Sequence, residues 1–367
     1  MTKRHPAIVR LTLCLPALLL CACGGGGGSG SVVGPAPVAP GTLSIVSNPR
    51  PVPPPVPQDY LDAVDLGRSA GSRGAIVTWR WSELETAPGV YNLSDVVENL
   101  NFNAAARPST IYVGIQPINT IPREVPADLS GVAFDDPQML ARFRSLLDQL
   151  LTLFAGRVTY LSIGNEVDVY LEAHPDELTA YRAFYAAAVS YVHSRDPAIK
   201  VGVTATFSGA TGSAGAMMSS LNQLSDVIMI TYYPLGAGFA VRDPGVVASD
   251  FPLMLGLDPV KPILLQEVGY PAAALLGSSD ARQADFVRNV FQAWRNSGAR
   301  IPFLSFFLMH DFTPSLCDVL GDYYGLPGSD AFKAYLCTLG LRRTDGSARP
   351  AWQALVDEAR SSGFPVD

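Results

Sequence analysis

The chain has 367 residues, 48% of them hydrophobic, with 26 basic residues against 33 acidic ones and a net charge of −7. That apolar content excludes a disordered chain and suffices for one large barrel or two smaller domains. The acidic balance excludes a basic nucleic-acid-binding surface and is compatible with neutral ligands.

The opening residues combine Lys3, Arg4 and Arg10 with an apolar run over 11–23, too short to span a bilayer as a mature helix. Residues 1–22 therefore read as a signal peptide. Leu20-Cys21-Ala22-Cys23 resembles a bacterial lipobox, which implies lipidation of Cys23; an ordinary secretory signal cut nearby is the alternative. The expected location is the bacterial cell envelope, anchored by lipid at the outer membrane or cell surface, with periplasmic or secreted protein as the other outcome. Residues 23–41, with Gly24–Gly28 and a Pro-rich continuation, have the composition of a tether. Loss of Lys3, Arg4 and Arg10 leaves 23 basic residues against 33 acidic ones, a mature charge of −10.

From residue 42 to 367 a single domain is expected. Short apolar runs at 42–47, 74–81, 110–117, 158–164, 200–206, 227–233, 262–267 and 301–309 read as strands covered on both faces. Between them lie amphipathic patterns at 136–154, 176–195, 280–297 and 348–360 that read as helices. Eight strand-then-helix units predict an α/β fold, a (β/α)8 TIM barrel. A doubly wound open sheet would carry a Gly-rich phosphate loop after its first strand, and none follows 42–47.

Two of these strands end in carboxylates: Glu166 closes the fourth and Glu267 the seventh. Charged side chains are rarely buried unless paired, so acids at the C-terminal ends of barrel strands point to a solvent-reachable mouth. A carboxyl pair facing one mouth is what glycosidic cleavage with retention requires. Structural ion pairs at the two strand ends are the competing reading. No Cys/His metal spacing occurs, and no cofactor is expected. Cys317 and Cys337 are the two cysteines of the folded part, able to form one disulfide or to remain separate buried thiols.

Gly164-Asn165-Glu166, Thr231-Tyr232-Tyr233-Pro234 and Glu267-Val268-Gly269-Tyr270-Pro271, with Trp81-Ser82-Glu83-Leu84-Glu85 and Pro88-Gly89-Val90-Tyr91, together resemble the clan A glycoside hydrolases over residues 42–362. Galactanase-like and β-1,3-glucanase-like features are among them. The resemblance implies that Glu166 is the general acid/base, that Asn165 binds the sugar 2-hydroxyl, that Glu267 is the nucleophile and that Tyr233 donates to it. Tyr232 should point to the opposite face. Members carry an arginine on strand two that supports the nucleophile, and Arg80 is the candidate here. They also carry a Trp at the end of strand eight, where this chain has Phe306-Phe307 followed by Leu308-Met309-His310-Asp311. Trp79, Trp81, Tyr270 and Phe307 are possible sugar platforms, Trp81 and Tyr270 foremost. Gln116 and His310 are candidate hydroxyl binders; a local hydrogen bond is the other reading of His310.

The expected function is a retaining β-glycosidase, endo-acting on a neutral poly- or oligosaccharide. The expected partner is carbohydrate, with no nucleic acid, membrane contact through the lipid alone, and a monomeric state. A non-catalytic carbohydrate-binding lipoprotein on the same scaffold is the alternative.

Overall fold

A computed structural model describes residues 39–103, 107 and 109–367. The expected signal peptide, Cys23 and the linker up to residue 38 lie outside the described residues.

Nine parallel strand pieces make one sheet. They are β1 (Thr42–Ile45), β2 (Gly74–Arg80), β3 (Thr110–Asn119), β4 (Val158–Asn165), β5 in two pieces (Lys200–Gly202 and Thr204–Thr206), β6 (Ile228–Tyr232), β7 (Ile263–Val268) and β8 (Phe303–Phe306). β1 pairs with both β2 and β8. The first piece of β5 pairs with β4 and the second with β6. Only Val203 separates those pieces, so the sheet closes as an eight-stave barrel, the predicted fold.

The outer helices are α1 (Pro57–Ser69), α2 (Ser94–Asn101), α3 (Pro137–Phe154), α4 (Leu178–Arg195), α5 (Gly215–Asn222), α6 (Val247–Leu255), α7 (Asp280–Ser297) and α8 (Pro350–Ser361), one after each stave. Their starts follow local chemistry. Asp136 accepts the Gln138 amide at 2.7 Å before Pro137 at the head of α3, and Ser279 accepts the Arg282 amide at 3.2 Å at the head of α7. Strand alternation divides the core in two. Tyr112, Val227, Met229, Leu264 and Phe303 fill the barrel lumen, while the intervening residues, such as Val113, Leu161 and Ile230, pack outward against the helices.

The Trp81-to-Tyr91 motif is a structural device. Trp81 is 0% exposed, packs against Phe143 and Phe184, and donates its indole N–H to Glu85 at 2.9 Å. Glu85 also accepts from the Gly89 amide at 2.8 Å and from Arg142 Nε at 2.7 Å. Three donors, one of them a guanidinium, thus satisfy a buried carboxylate and hold the hairpin formed by Glu85–Ala87 and Val90–Tyr91. The expectation of Trp81 as a sugar platform is corrected: its ring is core.

Between β8 and α8 the chain inserts two short helices, Pro314–Tyr323 and Asp330–Leu336, joined by a Cys317–Cys337 disulfide. Leu308, Cys317, Phe332, Leu336 and Leu339 give the insert a small core of its own. Tyr233, Phe239, Phe307, Tyr324 and Tyr335 pack against that core, so the insert reaches the barrel mouth.

Candidate active site

The mouth is assembled at the C-terminal ends of the staves, where two of them depart from regular strand geometry. At the end of β4, Gly164 takes φ +94°, and a Cβ there would stand 2.4 Å from Val167 Cγ1. Glu166 then adopts a left-handed backbone with φ 46°, uncommon for a side-chain-bearing residue. Thr120, after β3, is left-handed as well with φ 56°. The two residues brace each other: Thr120 N donates to Asn165 O at 2.8 Å, and Thr120 Oγ1 donates to Glu166 Oε2 at 2.8 Å. Glu166 Oε1 accepts from Thr231 Oγ1 at 2.6 Å. Strain held in place by several contacts at a strand end marks a functional position more than a packing one.

At the end of β7 the register against β6 slips between Leu265 and Glu267. In a regular strand Gln266 and Glu267 would face opposite sides; the irregularity turns both toward the interior. Glu267 Oε2 accepts from Tyr233 Oη at 2.7 Å, and its Oε1 from Gln266 Nε2 at 3.4 Å. Gly269 lets this happen, since a Cβ there would lie 2.5 Å from Tyr233 Cε1. Tyr232 faces the other way, its hydroxyl on Asp250 at 2.9 Å and its ring against Phe207 and Phe251.

Burial pushes the Glu166 carboxyl above the ordinary carboxylate range, against the pull of the Thr231 and Thr120 hydroxyls. Glu267 is pushed up to about 7, by burial first and by the charge of Glu166 second, with Tyr233 and Gln266 pulling down. The two acids therefore share one electrostatic environment. Burial and the Glu267 charge hold the Tyr233 phenol well above its usual range, so it remains a donor.

Asn165, 8% exposed, donates from Nδ2 to Asn119 Oδ1 at 3.0 Å and accepts at Oδ1 from Gln266 Nε2 at 3.0 Å. Gln116 ends the inward row Tyr112, Gly114, Gln116 of β3 and is 8% exposed. Phe307 is part-buried at the end of β8, 6.5 Å from the Tyr233 ring.

Three further expectations are corrected. Tyr270 is 1% exposed, stacks on Phe286 and donates its hydroxyl to Arg242 O at 2.6 Å, so its ring offers no sugar platform. Arg80 does not reach Glu267; it pairs with Glu83 and, at 3.5 Å, with Glu124, and lies 5.6 Å over the Tyr323 ring. His310 is a fastener. Its Nδ1 meets Asn48 O at 2.7 Å and its amide donates to Asn48 Oδ1 at 3.0 Å, tying the end of β8 to the loop after β1. Asp311 bonds Arg349 at 2.6 Å and the Gly340 amide at 2.8 Å, not His310.

Sequence reasoning missed Thr120, Thr231, Gln266, Tyr324 and Tyr335. Thr231 was within reach, because it lies two residues before Tyr233 and so on the same strand face. Tyr324 and Tyr335 feel the charges of both Glu166 and Glu267, but they come from the insert, whose course no periodicity announces.

The mouth of a closed parallel barrel thus holds two buried carboxyls within each other's electrostatic reach. No family model matches the chain, and no curated protein matches it by sequence. Solved structures do match by fold. An exo-beta-1,4-mannosidase from Opitutaceae bacterium strain TAV5 is similar at TM-score 0.69 and 16% identity, over 88% of this chain and 59% of that one. A GH5_18 protein from Bifidobacterium longum subsp. longum ATCC 55813, in complex with Manb1-4GlcNAc, is similar at TM-score 0.66 and 16% identity, over 89% and 80%. A family 39 glycoside hydrolase from the gut symbiont Bacteroides cellulosilyticus WH2 follows at TM-score 0.60 and 16% identity, over 88% and 64%. The chain thus has the fold of clan A glycoside hydrolase barrels, and spans somewhat more than half of the mannosidase's length.

Proposed function

We propose that the protein is a retaining β-glycosidase of neutral oligo- or polysaccharides, with Glu166 as general acid/base and Glu267 as nucleophile. The observation that carries this reading is the pair itself: two carboxyls from β4 and β7, close enough for one charge to raise the other's pKa, each with separate donors. Their partners differ in kind. Glu166 is bonded only by hydroxyls, which can turn to accept from a protonated acid. Glu267 accepts from the Tyr233 hydroxyl and, in addition, faces the amide N–H of Gln266, which can only donate and so favours the ionised form.

In this mechanism protonated Glu166 gives its proton to the leaving glycosidic oxygen while Glu267 attacks the anomeric carbon and forms a glycosyl-enzyme. Glu166, now ionised, takes a proton from water, which opens that bond and restores both acids with the anomeric configuration unchanged. Asn165 donates to the sugar 2-hydroxyl, and Tyr233 steadies Glu267 through the cycle. Gln116, Phe307, Tyr324 and Tyr335 surround the sugar.

Internal attack on the polymer is proposed, with release from chain ends as the outcome suggested by the exo-acting mannosidase of like fold. β-Mannosides head the substrate panel for the same reason. The test follows product anomers by NMR on β-linked gluco-, galacto- and manno-oligosaccharides and polymers. The β-anomer should form first, and Glu166→Gln and Glu267→Gln should each reduce kcat about a thousandfold or more. Near-normal turnover in either variant, or initial α-product, overturns the assignment. Binding without turnover by the unaltered protein would favour the non-catalytic reading.

A further inference from the structure

Asn165 and Gln266 belong to a longer row of side chains whose direction is set from its far end. Gln266 Nε2 donates to Asn165 Oδ1 at 3.0 Å, Asn165 Nδ2 to Asn119 Oδ1 at 3.0 Å, Asn119 Nδ2 to Tyr323 Oη at 2.9 Å, and Tyr323 Oη to Glu124 Oε1 at 2.7 Å. Glu124 is paired with Arg80 at 3.5 Å and accepts from Ser82 Oγ at 2.8 Å. A carboxylate only accepts, so the Tyr323 hydroxyl must spend its single proton on Glu124. Its oxygen is then left to accept from Asn119, which fixes which end of that amide faces it. The same logic passes through Asn165 to Gln266, each amide oxygen meeting the next amide nitrogen.

At the near end Gln266, 2% exposed, is locked from behind as well. Its Oε1 accepts from Tyr112 Oη at 2.6 Å and Thr204 Oγ1 at 2.5 Å, both residues fully buried. One N–H of its amide goes to Asn165, and the other points at Glu267 Oε1 at 3.4 Å. The second N–H of Asn165 remains to meet a ligand.

We propose that Glu124, held by Arg80, sets the polarity of a side-chain relay through Tyr323, Asn119 and Asn165 to Gln266, and that this relay presents an N–H to Glu267 that favours its ionised form. Glu124, Tyr323 and Gln266 are positioning residues in this scheme. Arg80, which does not touch Glu267, supports it at a distance. Tyr323 comes from the disulfide-linked insert, so the insert completes the wiring of the barrel's own acid. The consequence for catalysis rests on Glu267 being the nucleophile; the relay itself does not.

The test is the apparent pKa of Glu267, read from its carboxylate infrared band in the full-length Glu166→Gln protein, assigned by subtraction of Glu166→Gln/Glu267→Gln. Adding Gln266→Leu should raise it by about one unit, through loss of a donor to the charged form. Adding Glu124→Gln should raise it as well, by a smaller amount. Coulomb's law alone gives the opposite sign, because removing a negative charge lowers the pKa of a neighbouring acid. A rise in both variants supports the relay. An unchanged or lowered value in Glu124→Gln overturns it, as does an unchanged value in Gln266→Leu. If Gln266→Leu fails to fold, Tyr323→Phe, which cuts the relay outside the barrel lumen, must give the same rise. No substrate is needed, so failure of every glycan in the panel would refute the glycosidase reading without touching this result.

Discussion

Two carboxyls in one buried mouth repel each other when both are ionised, and the protein retains them at the expense of stability. Glu267 has its folded pKa raised from 4.5 to about 7. Below its unfolded value the acid is neutral in both states and the fold loses nothing; between about 4.5 and about 7 the unfolded chain is ionised while the folded one holds its proton, so stability falls across that window and the loss is complete above it. Glu267→Gln should therefore raise the unfolding free energy at about pH 8 by on the order of 2 kcal/mol, and leave it nearly unchanged near pH 4. Calorimetry at the two pH values checks this, and equal effects at both would show that the carboxyl is not held under electrostatic tension. The residue scale is also where sequence reading divides most sharply. Glu166 and Glu267 were visible because acids are out of place at the end of apolar runs. Gln266 shares the lumen face of Leu264 by the period of two, but that same period turns it away from Glu267, and only the irregularity in β7 brings Glu267 round beside it.

Among the elements, the eight staves were legible because parallel strands covered on both sides read as continuous apolar runs. The break of β5 at Val203 and the bend that re-aims Glu166 were not, since both are set by the closing of the sheet. The insert between β8 and α8 was still less legible: its short helices take their order from the Cys317–Cys337 bond and from contacts with the mouth. That bond closes a loop across a sequence separation of 20, for which loop-closure entropy gives about 3 kcal/mol. A Cys317→Ser/Cys337→Ser protein should keep the barrel's far-ultraviolet circular dichroism while the insert loosens. Its KM for the best glycan should rise more than its kcat falls, because Tyr324 and Tyr335 reach the mouth from this segment. Unchanged steady-state constants would show that the insert covers the mouth without serving it.

For the whole molecule, the fold and the position of the mouth followed from the sequence, while the sugar platforms did not. Trp81 and Tyr270 lie near strand ends, yet barrel packing places both in the core. The N-terminal anchor remains a proposal with a direct check. Cys23→Ser expressed in a bacterial host should move the protein from the membrane fraction to the soluble one and abolish labelling by a radioactive fatty acid. Retention in the membrane by the variant would refute it. The direction in which β1 enters the barrel then acquires a meaning. Thr42 begins β1 at the pole opposite to the strand ends that carry Glu166 and Glu267. A lipid anchor ahead of Thr42 would join the barrel at the pole away from the mouth, so the attachment point itself would leave the mouth unobstructed to glycans.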